Sequence, residues 1–106
     1  MTVYNVPSSQ ANKKENRFAL RFKDGGKVYS VPKLGYLSGE ASEFIEQAMK
    51  DNLTEVVLTR RLLRIECPQA EQEIRRLHDD QILDISRRWV SESGITPGES
   101  LGSENS

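Results

Sequence analysis

The stretch that decides the fold reads Arg17-Phe-Ala-Leu-Arg-Phe22, Lys23-Asp-Gly-Gly26, Lys27-Val-Tyr-Ser-Val31, Pro32. Apolar and polar residues alternate up to Phe22, the alternation breaks at Lys23–Gly26, and it resumes from Lys27 to Val31. That is the pattern of two half-buried strands joined by a turn. With Gly25 and Gly26 at the centre of a two-residue turn, where a positive φ costs glycine little, Asp24 faces Lys27 and the ladder runs outward. This register sets Phe22 opposite Tyr29 and Leu20 opposite Val31, with Phe18 beyond, all on one face, and puts Arg21 and Ser30 on the other. Pro32 has no amide hydrogen to donate and closes the second strand. A hairpin over 17–32 is therefore expected. Two strands do not stand alone, so their apolar face needs a cover from elsewhere in the chain.

The downstream sequence supplies helices for that cover. Ser38 precedes Gly39-Glu40 and then Ala41, Phe44, Ile45, Ala48 and Met49, whose spacing predicts a helix over 39–50 with Ser38 as its cap. Leu53 to Cys67 carries a conflict: Val56-Val57-Leu58-Thr59 favours strand, whereas Arg60-Arg61-Leu62-Leu63-Arg64 favours helix. Length and the lack of alternation assign 54–66 to helix. Pro68 suits the first residue of a helix over 68–78, with Ala70, Ile74 and Leu77 inward and Arg75 and Arg76 outward. Asp79-Asp80 offers a cap and favourable charge to a last helix, 81–93, carrying Ile82, Leu83, Ile85, Trp89 and Val90; Gly94 ends it and Pro97 prevents its resumption. Residues 1–16 read as a flexible polar arm and 96–106 as a disordered Gly/Ser/Glu-rich tail. The fold class expected is α+β: one domain over 17–95, a two-stranded hairpin followed by three or four helices.

Composition narrows the function. A chain of 106 residues suits one small domain, and 15 Lys plus Arg against 16 Asp plus Glu give a formal charge of −1, which exerts no bulk pull on a phosphate backbone. With one cysteine, Cys67, and one histidine, His78, neither an internal disulfide nor a structural zinc site can be built. The N-terminal sequence has no apolar signal-like run, and no stretch of about 18 apolar residues occurs, so the cytoplasm is the expected location and no membrane partner is expected.

The residues that carry chemistry have simpler structural roles. A Cys67–His78 pair would need an orienting group and a positive setting to form a thiolate, and neither is apparent in the sequence. Asp79, Asp80 and Asp84 cluster without a metal-binding loop, and capping accounts for the first two. Lys23-Asp-Gly-Gly-Lys27 joins strands rather than opening a helix, so it lacks a phosphate cradle. No catalytic, cofactor-binding or metal-binding residue is assigned, and no enzyme activity is expected. Arginine pairs recur at Arg60-Arg61, Arg75-Arg76 and Arg87-Arg88, and a set of short helices also fits a small helix-turn-helix DNA-binding regulator. Residues 54–93 balance seven arginines with eight acidic residues, however, which disfavours nucleic acid. Phe44 and Met49 on the first helix and Trp89 and Val90 on the last are the candidate protein-binding residues. Trp89 is read as chiefly core, with a contact surface around its edge. A thin core leaves room for completion by self-association or by a partner.

The order of these features resembles the tail assembly chaperones of long-tailed, siphovirus-type phages and prophages. The resemblance lies in the polar arm, the hairpin RFALRFKDGGKVYSVP, the helix SGEASEFIEQAMKD and, above all, the ending ILDISRRWVSESGITPGES. It spans about residues 17–100 and is weakest over Leu53–Leu77. Such proteins are not enzymes and are absent from the mature virion. The resemblance implies a host-cytoplasmic protein that binds the tape measure protein, keeps it soluble and helps to recruit tail-tube protein through a longer, frameshifted form. This chain would be the short form, with Gly98-Glu99 where the slippery codons could lie.

Overall fold

Strands β1 (Arg17–Arg21) and β2 (Val28–Pro32) pair antiparallel in the computed structural model, which describes residues 2–94. Phe18 faces Val31 and Leu20 faces Tyr29. The register is thus displaced by two residues from the one inferred from a Gly25-Gly26 turn, because the reversal is longer. The amide of Gly26 donates to the Lys23 carbonyl at 3.0 Å, and only Gly25 of the two glycines takes a positive φ, +70°. Positive φ at the third residue of a four-residue turn is the type II pattern and favours glycine. Gly26 is required for another reason: a Cβ there would lie 2.8 Å from Lys23 Cγ and 3.0 Å from its carbonyl oxygen. A displacement of two leaves every side chain on its expected face, since strand side chains repeat with period two. Phe22, placed beyond the ladder, still packs on Tyr29 with ring centroids 5.6 Å apart.

The root of the N-terminal arm has more structure than its polar sequence suggests. Residues 10–12 and 14–16 form single 3-10 turns. Ser9 caps the first by accepting the Ala11 amide at 2.9 Å, and Asn16 Nδ2 donates to the Gln10 carbonyl at 2.9 Å. Arg17 ties this root to the hairpin, donating to the Ala11 carbonyl at 3.3 Å and to the Ser30 carbonyl at 2.9 Å. Residues 2–9 carry no regular element and are exposed.

Helix α1 (Gly39–Lys50) begins where the spacing places it, with Ser38 Oγ accepting the Ala41 amide at 3.2 Å. Its end is a Schellman motif. Asn52 takes a φ of +58°, its amide returns to the Met49 carbonyl at 3.4 Å, and the Leu53 amide reaches back to the Ala48 carbonyl at 3.1 Å. Thr54 then caps α2 (Glu55–Glu66), settling the conflicted segment as helix. Leu58, Thr59, Leu62 and Leu63 turn inward from α2, which packs against both α1 and α4 (Asp79–Glu92).

The segment inferred as one helix over 68–78 is a 3-10 turn, Pro68–Ala70, followed by a short α3, Glu71–Arg76. Arg60 accounts for the early stop. One guanidinium nitrogen donates to the carbonyls of Ile74 at 2.9 Å and Leu77 at 2.8 Å, satisfying acceptors at the helix end and holding the turn there. Leu77 is accordingly extended, and α4 starts two residues earlier than the spacing implies, with His78 rather than an aspartate as N-cap. Gln81 Oε1 accepts the His78 amide at 2.8 Å, while Asp79 and Asp80 occupy the first turn, where their charge suits the helix dipole. Gly94, at φ +73°, caps the C-terminal end as expected.

The core collects one face of the hairpin and the inner faces of the helices. Trp89, Leu63, Ile74, Ile82, Val31 and Cys67 are fully buried. Side-chain bonds tie distant segments around them. The Tyr29 hydroxyl donates to Glu73 Oε1 at 2.8 Å, the Ser38 amide to Glu66 Oε2 at 2.8 Å, and the Leu34 amide to Ser93 Oγ at 2.9 Å. Among the described residues no buried side-chain nitrogen or oxygen lacks a partner. The expected 96–106 tail lies outside the described residues.

Candidate functional site

The α1–α2 turn and the C-terminal half of α4 create a largely apolar concavity. The Schellman closure sets Leu53 just ahead of α2, and Leu58 and Leu62 follow along that helix at i, i+4 spacing. Opposite them stand Trp89 and Val90 of α4, with Leu34 closing one end. These side chains line an open cleft of about 430 Å³. Polar groups sit among them in satisfied form: Ser86 donates its hydroxyl to Glu55 Oε2 at 2.7 Å, bracing α4 against the start of α2. Of the lining residues Leu53 is the exposed large apolar one, at 36%.

The four residues singled out from the sequence do not form one surface. Phe44 and Met49 belong to α1, Trp89 and Val90 to α4, and α2 packs against both helices. Phe44 is half-buried and covered by the Arg61 guanidinium, 5.5 Å from its ring centroid. Met49 is exposed, as a contact residue must be, and Val90 is half-buried in the cleft wall. Trp89 is core, as read from the sequence, and it is the contact edge expected around it that needs correcting. Only 1% of it is exposed, its indole N–H donates to the Pro32 carbonyl at 2.9 Å, and its ring stacks near Phe18 with centroids 6.4 Å apart. It is the floor of the cleft and a core anchor rather than a contact residue. Leu34, Leu53, Leu58 and Leu62 are the lining residues that sequence reasoning missed. The i, i+4 pair Leu58/Leu62 was visible, but nothing local said that this stripe would meet α4.

Part of the arginine charge is engaged in the fold, one member each of the Arg60-Arg61 and Arg87-Arg88 pairs in an ion pair and Arg61 over the Phe44 ring. Arg60 is spent on the α3 carbonyls and on Asp79 at 2.9 Å, Arg64 pairs with Glu71 at 2.9 Å, and Arg88 pairs with Glu92 at 3.1 Å. Those engaged charges are not available to a phosphate backbone.

Cys67 is fully buried, and burial pushes its thiol above the ordinary range, with a lesser push from the Glu73 charge. That environment is the reverse of one that activates a thiolate, and His78 is exposed at the start of α4. Among the described residues no group of three or more His, Cys, Asp or Glu side chains is placed to hold a metal ion, and no helix is long and apolar enough to cross a membrane.

Set against models of protein families, curated proteins and solved structures, the chain finds no match in any of the three comparisons.

Proposed function

We propose that this chain is a phage tail assembly chaperone that acts by reversible apolar contact, its α2–α4 cleft receiving side chains from a helix of the tape measure protein. The observation that carries the proposal is the cleft itself. Leu34, Leu53, Leu58, Leu62 and Val90 make an apolar trough over the Trp89 floor, with Leu53 exposed at its edge. An amphipathic client helix would place residues at i, i+3, i+4 and i+7 into such a trough, and many copies along one long client would add avidity to individually weak contacts. Holding of this kind requires no bond making or breaking. The order of hairpin, capped helix and Trp-bearing last helix, together with the polar C-terminal sequence, supports the same assignment. Recruitment of tail-tube protein belongs to the longer, frameshifted product, and the site of action is the host cytoplasm.

The test is co-expression with tape measure fragments. Wild-type protein is expected to keep the fragments soluble and to co-purify with them, whereas Leu53→Asp/Val90→Asp, folded by far-ultraviolet circular dichroism, is expected to do neither. Fragments that precipitate equally with wild type and without it would end this assignment. A gel shift with steep salt dependence would instead favour the DNA-binding regulator.

A further inference from the structure

The described sheet has two strands only, so the outer edge of β1 presents unpaired backbone amides and carbonyls. That edge is not open on all sides. Helix α4 runs beside it: Asp84, Ile85, Arg88 and Glu92 line a cleft with β1, Gln81 lines a second one with the end of β1, the turn and Val28 of β2, and the five fall on one helical stripe. On the strand side consecutive residues from Arg17 to Arg21 line the same space, so both faces of the strand contribute and the trough follows the edge. The eleven residue steps from Gln81 to Glu92 and the five residues of strand each measure about 17 Å, which is also the span of five residues in extended conformation.

The same chain carries an unpartnered segment of that length. Thr2-Val3-Tyr4-Asn5-Val6 lies before Pro7, has no charged side chain, and is rich in residues that favour strands. Val3, Tyr4 and Val6 are 70%, 79% and 83% exposed, more than any other large apolar residue described. In an extended segment Tyr4 and Val6 share a face, the alternation needed to continue the apolar face of Phe18 and Leu20. The root of this arm is fixed by the bonds of Ser9, Asn16 and Arg17, yet its tip touches no core in a single copy.

We infer that two copies of this chain exchange N-terminal arms, residues Thr2–Val6 of each adding as a third strand along the β1 edge of the other, in the trough beside α4. Reciprocal exchange obeys two-fold symmetry and closes, so it yields a dimer rather than a filament. Each arm would cover roughly 400 Å² of its own surface and a similar area of trough. The pair then buries about 1,600 Å² in all, the size of a standard stable interface. The inference is independent of any client bound at the α2–α4 cleft.

Sedimentation equilibrium of the full chain from low micromolar to near-millimolar concentration is expected to show a monomer–dimer equilibrium. Tyr4→Asp/Val6→Asp is expected to weaken it by at least about 100-fold. Far-ultraviolet circular dichroism and Trp89 emission should not change, because the arm side chains lie outside the core. In a mixture of Tyr4→Cys and Arg88→Cys chains, oxidation is expected to link one variant to the other. A chain monomeric throughout, a dimer indifferent to the arm substitutions, or a mixture giving no such link would each overturn the proposal.

Discussion

Arg60 offers a sharp test of how the helices are held together. Its guanidinium donates to the carbonyls of Ile74 and Leu77, at 2.9 and 2.8 Å, and to Asp79 Oδ1 at 2.9 Å. The three bonds are unequal. The Arg60 side chain is 21% exposed and its carbonyl acceptors lie at the packed end of α3, whereas the Asp79 side chain is 76% exposed and its ion pair is open to solvent. A hydrogen bond from a charged donor contributes about 1.5–3 kcal/mol, and an exposed ion pair typically contributes less than about 1 kcal/mol. Arg60→Met keeps most of the aliphatic stem and removes all three bonds. Allowing for water reaching part of the freed carbonyls, the expected loss is about 2–3 kcal/mol. Asp79→Asn should cost under about 0.5 kcal/mol. Equilibrium unfolding in urea, followed through Trp89, the single and fully buried tryptophan, reads both. For a domain of this size a loss of 2 kcal/mol lowers Tm by roughly 8–16 °C. Arg60→Met within 0.5 kcal/mol of wild type, at an unchanged m-value, would refute the clamp. So would equal losses for Arg60→Met and Asp79→Asn, which would assign the whole effect to the ion pair.

The remaining predictions concern other joints of the fold. Trp89→Phe removes the indole donor from the buried Pro32 carbonyl and leaves a small void, so thermal unfolding followed by circular dichroism should show a loss of about 2–4 kcal/mol. Asn52→Val puts a branched side chain at φ +58° and should destabilise by about 1–2 kcal/mol, while Asn52→Gly should cost nothing or stabilise slightly in the same denaturant titration. The phenol of Tyr29 is pushed up first by its hydrogen bond to Glu73, and the thiol of Cys67 first by burial. Both groups therefore titrate higher in the folded chain than in the unfolded one. The stability they contribute is complete below the ordinary thiol and phenol values of about 8.5 and 10, and is lost as pH rises through the higher folded values. Tm measured against pH should fall on the alkaline side, and Tyr29→Phe should flatten the phenol part of that fall; an unchanged alkaline slope in Tyr29→Phe would count against the Glu73 contact.

Much of the fold was legible because its signals are local. The alternation around Lys23–Gly26, the Ser38 cap with its apolar stripe, and Gly94 after α4 each act within a few residues, so hairpin, α1 and the end of α4 follow from short windows. The 54–66 conflict also resolves locally once Thr54 is seen capping the Val57 amide. The candidate site was far less legible. Apolar periodicity marks which face of a helix is greasy, yet it says nothing about which neighbour covers that face. Phe44, Met49, Trp89 and Val90 therefore all read as contact residues in the sequence, Trp89 through its edge, although Met49 is 55% exposed and Trp89 1%.

What the sequence determined by itself was the identity of the elements and the face each residue occupies, because side-chain periods of two and 3.6 are properties of the local backbone. The hairpin register followed from neither period: registers two residues apart present the same faces, and the local geometry of the Lys23–Gly26 reversal selects one. Tertiary structure decided which neighbour covers each face. It also decided where the helix after Pro68 stops, through an arginine in the preceding helix, and which leucines line the cleft. Those outcomes depend on contacts between residues far apart in the chain, such as Arg60 with Leu77 and Trp89 with Pro32, and the free energy of such contacts exists only once the elements have packed.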